Sequence, residues 1–396
     1  MNVFVSGRLC LFGEHSDWAG YHNRTNADIA SGMAVVTGIE QGIHAYIEKS
    51  DCFRFRTVLP GGDRTPWQEW PLSVRKLKEV AQSGVFFSYV AGVAAFMLEY
   101  YDVGGLSIDC FEVTVPMKRG LSSSAAVCVL VARAFNLLYG LQIAAPGEME
   151  AAYRGEILTP SRCGRLDQAC AFGGKPVLMH FIGEEMAVER LRVGMDLHWV
   201  FAGLGGEKDT RKILSALNAC YPFAQTPLAR GVQRALGEEN RRIVSQVVEA
   251  LVEGDAWRLG ALMTEAQGIF DALVAPACPE ELTAFRLHAA LSDPTARALS
   301  LGGKGVGSQG DGSVQFICAD AAAKQALCAH LQSQGMEAFP LTIRAQPGDG
   351  EIQLTSALDA VCRADGMMAN RVGGKRFDIG LPEAYRETVW RFGRQL

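Results

Sequence analysis

The sequence predicts an α+β protein of two domains. A mixed N-terminal domain with a β-rich start covers residues 1–195, a more helical domain covers 196–345, and an extension covers 346–396. Three observations carry this reading. The chain has 396 residues, room for two or three domains at about 150 residues each. Short apolar runs separated by glycine and polar turns fill residues 1–60, whereas beyond Asp209 the apolar residues recur at helical spacing. The change of character falls near residues 190–210.

Taken in order, VFV, LCLF, MAVVTGI, HAYI and CFRF read as successive strands. SYVAGVAAFMLEYY, residues 88–101, is apolar on all sides and reads as a buried helix, and IDCFEVTVP returns to strand alternation before Pro116. After KRGLSSS, the Ala- and Leu-rich AAVCVLVARAFNLLYG reads as a helix that stops at Gly140. VLMHF and LHWVFAGL, within residues 177–204, are strand-like. Ile243, Val247 and Leu251 then fall at i, i+4 and i+8, and Leu259, Met263 and Ala266 nearly repeat that stripe, as helices sharing a core require. A glycine-rich stretch, LGGKGVGSQGDGSVQFI, precedes a helix, AAAKQALCAHLQSQG, and a strand-like PLTIRA. The residues from 346 onward show no periodicity and receive no role.

Composition excludes several function classes. Hydrophobic residues make up 48% and charged residues 20%, average globular usage that argues against disorder or a fibre. A formal charge of −5 gives no global attraction to polyanions, so nucleic acid is not an expected partner. The eleven cysteines are scattered without a CxxC pair, and the seven histidines form no HExxH, which argues against a disulfide framework, a zinc site or metalloprotease chemistry. No basic leader and no apolar run near 18 residues is visible, so no membrane association is expected and a reducing cytoplasm is the default location.

Three clusters carry chemistry. Gly120-Leu121-Ser122-Ser123-Ser124-Ala125-Ala126 places three hydroxyls at a predicted helix start, directly after Lys118 and Arg119. Free amides and the helix dipole attract anions there, and polyphosphate fits. The plainer alternative is N-capping by serine. The second cluster is Gly7-Arg8 with Gly13-Glu14-His15-Ser16-Asp17-Trp18. With residues 9–12 as a strand, Arg8 and Glu14 stand at its two ends, and the turn after Gly13 presents His15 and Asp17 to a common cavity, a set suited to the hydroxyls of a small polyol. A solvated turn with a surface ion pair is the alternative. The third cluster is Cys163-Gly164-Arg165-Leu166-Asp167-Gln168-Ala169-Cys170, preceded by Glu156. Here Asp167 reads as a base in a tight pocket, or else as a helix cap or the ion-pair partner of Arg165.

In this order the clusters resemble the GHMP family of small-molecule kinases, named for its galactose, homoserine, mevalonate and phosphomevalonate members. SGRLCLFGEHSDW (6–18) is similar to the galactokinase signature, and PMKRGLSSSAA (116–126) to the family's phosphate-binding loop. CGRLDQ (163–168) looks like the galactokinase segment that carries the catalytic aspartate. Residues 300–316 resemble the third glycine-rich motif more loosely, and residues 87–101 the helix before the phosphate loop. The likeness covers residues 1–345. It implies the two-domain GHMP kinase architecture, with ATP and Mg²⁺ as cofactors. It further implies that Asp167 accepts or orients the substrate hydroxyl proton beside Arg8, and that Ser124 and Glu156 ligate Mg²⁺. Lys118, Arg119, Gly120, Leu121, Ser122, Ser123 and Ser124 then wrap the ATP phosphates, while Glu14, His15 and Asp17 grip substrate hydroxyls. Elementary chemistry agrees, because a guanidinium keeps a neighbouring carboxylate ionised and hard oxygen donors suit Mg²⁺.

Departures from the family pattern shape the substrate expectation. Lys118 replaces a loop glycine, Cys10 and Trp18 replace the usual Asn and Tyr, and an insertion around residues 23–30 lies beside the sugar motif. Mevalonate kinases share LFGEH but lack an acid at the position of Asp17 and carry Lys in place of Arg8, which favours a sugar. The expected activity is therefore ATP- and Mg²⁺-dependent phosphorylation of a monosaccharide or sugar acid at the anomeric hydroxyl. The alternatives are a mevalonate-type or other GHMP kinase, a galactokinase-like sensor that binds without catalysis, and a nicotinamide-dependent dehydrogenase using the GxGxxG at residues 305–310.

Overall fold

LCLF lies in the second half of β1 (Asn2–Phe12), where every residue from Ser6 onward is buried on both faces. A continuous apolar run is what such a strand requires. β1 runs antiparallel to β2 (Gly32–Ser50), a 19-residue strand that organises the first sheet. The far half of β2 pairs β5 (Gly105–Val113) along residues 43–50, and its near end pairs β6 (Val177–Ile182) along residues 32–36. With β3 (Phe53–Arg56), β4 (Gln68–Trp70) and β7 (Glu185–Arg190), the sheet order is β4-β3-β5-β2-β6-β7, with β1 on β2. Only the β3–β5 pair is parallel.

The helix Ser123–Tyr139 packs against this sheet, and the helices Ser88–Tyr100 and Ala145–Glu156 pack against it and against one another. The first of these ends as its sequence requires, with Gly140 in the left-handed region at φ 63°. A second sheet has the order β11-β8-β10-β9, from β8 (Leu197–Gly203), β9 (Gly302–Gly305), β10 (Ser313–Cys318) and β11 (Glu337–Ile343). Strand alternation decides what each of its faces meets. Trp199 and Phe201 join the core of the first sheet, whereas Val200 and Ala202 join Leu287 and Leu327 under the outer helices.

This computed structural model describes residues 1–59, 61–116, 120–161 and 163–345, all within one compact unit, Met1–Gln346. The loop cations Lys118 and Arg119 and the extension 346–396 lie outside the described residues. The change from first to second sheet falls between Arg190 and Leu197, where a domain boundary is expected from the sequence. No helix among the described residues is long and apolar enough to cross a membrane.

Two local expectations are corrected. The strand expected over residues 9–12 begins at Asn2, so Arg8 lies inside it, at a shift of the β1–β2 register between Ser6 and Arg8, rather than at its end. The β-rich opening, read as successive strands, is also interrupted by a helix, Ser16–Tyr21, which is too short to show an apolar period. The GxGxxG at residues 305–310 falls in the turn between antiparallel β9 and β10 and opens no helix. The dinucleotide reading of this motif needs a strand-to-helix crossover and is excluded.

Candidate active site

Glycine at position 7 lets β1 touch the serine-rich loop. A Cβ there would lie 2.8 Å from Val115 Cγ2 and 3.1 Å from the Leu121 carbonyl. The Arg8 amide donates to that carbonyl at 3.1 Å, and Arg8 Nη1 donates to the Gly120 carbonyl at 3.0 Å. The other guanidinium nitrogen, Nη2, forms a close ion pair with Asp167 Oδ1. Burial is the largest influence on Arg8 and works against its charge, but the opposing influences together, led by the Asp167 carboxylate, leave the pKa raised. Arg165 is not the partner of Asp167; it pairs with Glu150 and lies over the Tyr153 ring.

Ser122 decides between capping and function. It sits at the helix start in the left-handed region, φ 53°, and its side chain makes no capping bond. Its hydroxyl donates instead to Asp167 Oδ1 at 3.0 Å. Asp167 opens a 3₁₀ helix, Asp167–Phe172, so three segments far apart in sequence meet on one carboxylate. Ser123 and Ser124 begin the long helix at the same point, where its dipole and free amides favour an anion.

Asp17, from the Ser16–Tyr21 helix, joins the same site. Its Oδ2 accepts from the Leu166 amide at 3.4 Å and abuts Gly164, where any side chain would collide with it. Burial raises its pKa, and the nearby Asp167 charge raises it further. Glu156 closes the opposite wall. It is buried, accepts from Gln168 Nε2 at 2.8 Å and hydrogen-bonds the Ser124 hydroxyl. Burial and the Asp167 charge push its pKa up to about 7. A Ser and a Glu oxygen side by side suit a hard divalent cation completed by phosphate oxygens and water, the usual mode for Mg²⁺. Among the described residues no group of three His, Cys, Asp or Glu side chains forms a protein-only metal cage.

Glu14 and His15 follow the sugar motif but have partners absent from its sequence. Glu14 forms a close ion pair with Lys304 of β9, and both side chains are buried, 8% and 2% exposed. His15 adopts φ 68° and lies between Trp18, whose indole donates to Nδ1 at 3.1 Å, and Phe270, on which it stacks. His15 and Asp17, expected to share a cavity, have different near neighbours. Asp17 stands with Asp167, whereas His15 stands near Glu14, Lys304 and Lys208. The insertion at residues 23–30 lies against the second half of the chain, with Asn26 donating to the Pro222 carbonyl at 2.9 Å.

Lys304 and Gln168 could have been singled out from the sequence. The first is the only charge in LGGKGVGSQG, and the second sits inside CGRLDQ. Lys208 gives no such signal, because its partners come from a distant turn.

Burial lowers the His15 pKa to about 4, with the Lys208 and Lys304 charges adding to the effect. The folded chain therefore binds fewer protons than the unfolded chain between about pH 6.5 and 4, and stability is lost as pH falls through that window. Between pH 7.5 and 4.5, wild type should lose on the order of 2–3 kcal/mol more than His15→Asn, which tolerates the positive φ. Urea unfolding of both proteins at the two pH values tests this. Equal losses would show that His15 is not held neutral.

Comparison with known proteins gives a domain match, distant sequence relatives and solved structures of similar fold. Residues 88–175 match the model of the GHMP kinases N terminal domain. A galactokinase of Thermotoga petrophila is 24% identical over 305 residues, covering 71% of this chain and 80% of its own. Among solved structures, Lactococcus lactis galactokinase complexed with galactose superposes with a TM-score of 0.65 at 18% identity, covering 87% of this chain and 93% of its own. Methanococcus jannaschii mevalonate kinase gives the same TM-score, 0.65, at 15% identity, covering 87% and 98%.

Proposed function

From the premise that this chain is an alcohol-accepting phosphotransferase with a GHMP kinase N-terminal domain, we propose that it transfers the terminal phosphoryl group of ATP to a monosaccharide or sugar acid, at the anomeric hydroxyl. The observation that supports this most is Asp167, held by Arg8 from β1 and by Ser122 from the serine-rich turn. An acceptor hydroxyl within hydrogen-bond reach of that carboxylate is oriented by it and gives up its proton to it as the oxygen–phosphorus bond forms. The bond to the ADP oxygen breaks, and ADP leaves. Arg8 pairs with Asp167 and faces the charge that develops on the transferred group, where positioning and electrostatics do most of the catalysis.

Gly120, Leu121, Ser122, Ser123 and Ser124 suit the ATP phosphates through backbone amides and hydroxyls at a helix N-terminus. Lys118 and Arg119 have the same assignment from the sequence. Ser124 and Glu156 would hold Mg²⁺, which would supply neutralisation of phosphate charge. Asp17, next to Asp167, takes a substrate hydroxyl, and its presence favours a polyol over mevalonate. The ten cysteines among the described residues are all free thiols, which fits a reducing cytoplasm.

ATP consumption measured against galactose, galacturonate, glucuronate, arabinose, N-acetylgalactosamine, mannoheptose and mevalonate tests the reading. Turnover with a sugar is expected. Turnover with mevalonate alone would make this a mevalonate-type kinase, and sugar binding without turnover would make it a sensor. Within the sugar reading, Asp17→Ala should raise KM for the sugar by about 10–100-fold, the scale of a lost hydrogen bond to a charged group, with a smaller change in kcat. An unaltered KM would contradict the role given to Asp17.

A further inference from the structure

An open cleft of about 470 Å³ has Glu14, Lys304, Asn240, Gln309 and Phe270 on its walls. Its charged groups are not equally neutralised. Arg8 has Asp167 and Lys304 has Glu14. Lys208 has no ion pair among the described residues; burial lowers its pKa to about 8, with the Glu14 charge opposing that shift only in part. Its ammonium makes one hydrogen bond, to the Gln309 carbonyl at 2.8 Å, which leaves two N–H donors unused. The lysine chain is fixed by glycine, since a Cβ on Gly312 would lie 2.7 Å from both Cε and Nζ.

A second unused donor belongs to His15. The Trp18 indole is only a donor, so His15 Nδ1 must accept from it. A neutral ring then carries its proton on Nε2, and Nε2 is buried with no hydrogen-bond partner among the described residues. The ring stacks on Phe270, which lines the cleft together with Gln309, the residue that fixes Lys208. Lys208 and His15 therefore each adjoin a residue of the cleft lining, and between them they hold a positive charge and three N–H donors unused among the described residues. A structural lysine that only ties down the β9–β10 turn would carry a desolvation penalty for a single carbonyl bond, which a neutral side chain could make without it.

We infer that Lys208 and His15 Nε2 form an anion subsite, so that the acceptor carries a carboxylate or a phosphate ester besides the hydroxyl that is phosphorylated. This deepens the sugar-kinase reading and rests on it for the identity of the acceptor. Donors without acceptors select an anionic, acceptor-rich group, and Lys208 supplies charge that a neutral hexose would leave uncompensated.

Calorimetric titration of galactose, galacturonate and galactose 6-phosphate into wild type, Lys208→Met and Lys208→Arg, run beside ATP turnover, tests this. At least one anionic ligand should bind wild type about 10–100-fold more tightly than galactose. That ratio should fall toward one in Lys208→Met and be largely kept in Lys208→Arg, which also controls for folding. The galacturonate and galactose 6-phosphate arms separate carboxylate from phosphate. Equal affinities in wild type, or a preference that survives Lys208→Met, would overturn the subsite. If galactose is then still phosphorylated, the kinase reading stands without it. Lys208-dependent anion binding with no sugar turned over would keep the subsite and remove the sugar-kinase reading.

Discussion

Asp167→Asn is expected to lower turnover by roughly 10²–10⁴, the scale of losing a positioned acid–base group, while ATP affinity changes little. The substitution keeps the size of the side chain and its bond from the Ser122 hydroxyl. It removes the charge that holds Arg8 and the basic oxygen that receives the acceptor proton. Because the phosphate turn contacts Arg8 through the carbonyls of Gly120 and Leu121 rather than through Asp167, the turn should keep its shape. Single-turnover phosphoryl transfer and nucleotide titration, made on the same preparation, separate the two effects. Near-normal turnover would remove Asp167 from the chemistry. A large loss of ATP affinity would instead make it part of the nucleotide site.

Lys304→Met should destabilise the protein by about 3–5 kcal/mol, the usual scale for leaving one member of a buried ion pair without its partner. Lys304 belongs to β9 and Glu14 to the turn after β1, and both are almost fully removed from water. The same seam is tied by Gln315 of β10, whose side-chain amide donates to the Cys10 carbonyl at 2.9 Å. Losing Lys304 strands a carboxylate where the two sheets meet. Adding Glu14→Leu to Lys304→Met should recover much of the loss, because two apolar groups carry no desolvation penalty. Urea unfolding of both variants measures this. A loss below about 1 kcal/mol in the single variant would mean that Glu14 finds water or another donor, and that the pair is exposed in practice.

How much could be read in advance differs between neighbouring residues. The Ser123–Tyr139 helix and its Gly140 stop were legible because composition and a C-terminal glycine act locally. Arg8 and Asp167 were paired only through family likeness, since no local rule joins residues 159 positions apart. Ser122 was ambiguous for a physical reason. A serine before a helix caps it only in an extended conformation, and here Ser122 is left-handed, which frees its hydroxyl for Asp167. The helix at Ser16–Tyr21 escaped because six residues hold less than two turns.

The sequence by itself determined the β-rich start and the more helical second half, the place of the serine turn at a helix N-terminus, and the residue types available to bind phosphate, cation and polyol. Those follow from periodicity, glycine and side-chain chemistry, which are properties of short segments. Tertiary structure alone decided which charges are paired: Arg8 with Asp167, Lys304 with Glu14, and Lys208 in no ion pair among the described residues. Charge pairing depends on distance and on exclusion of water, and both arise only when the two sheets close on each other.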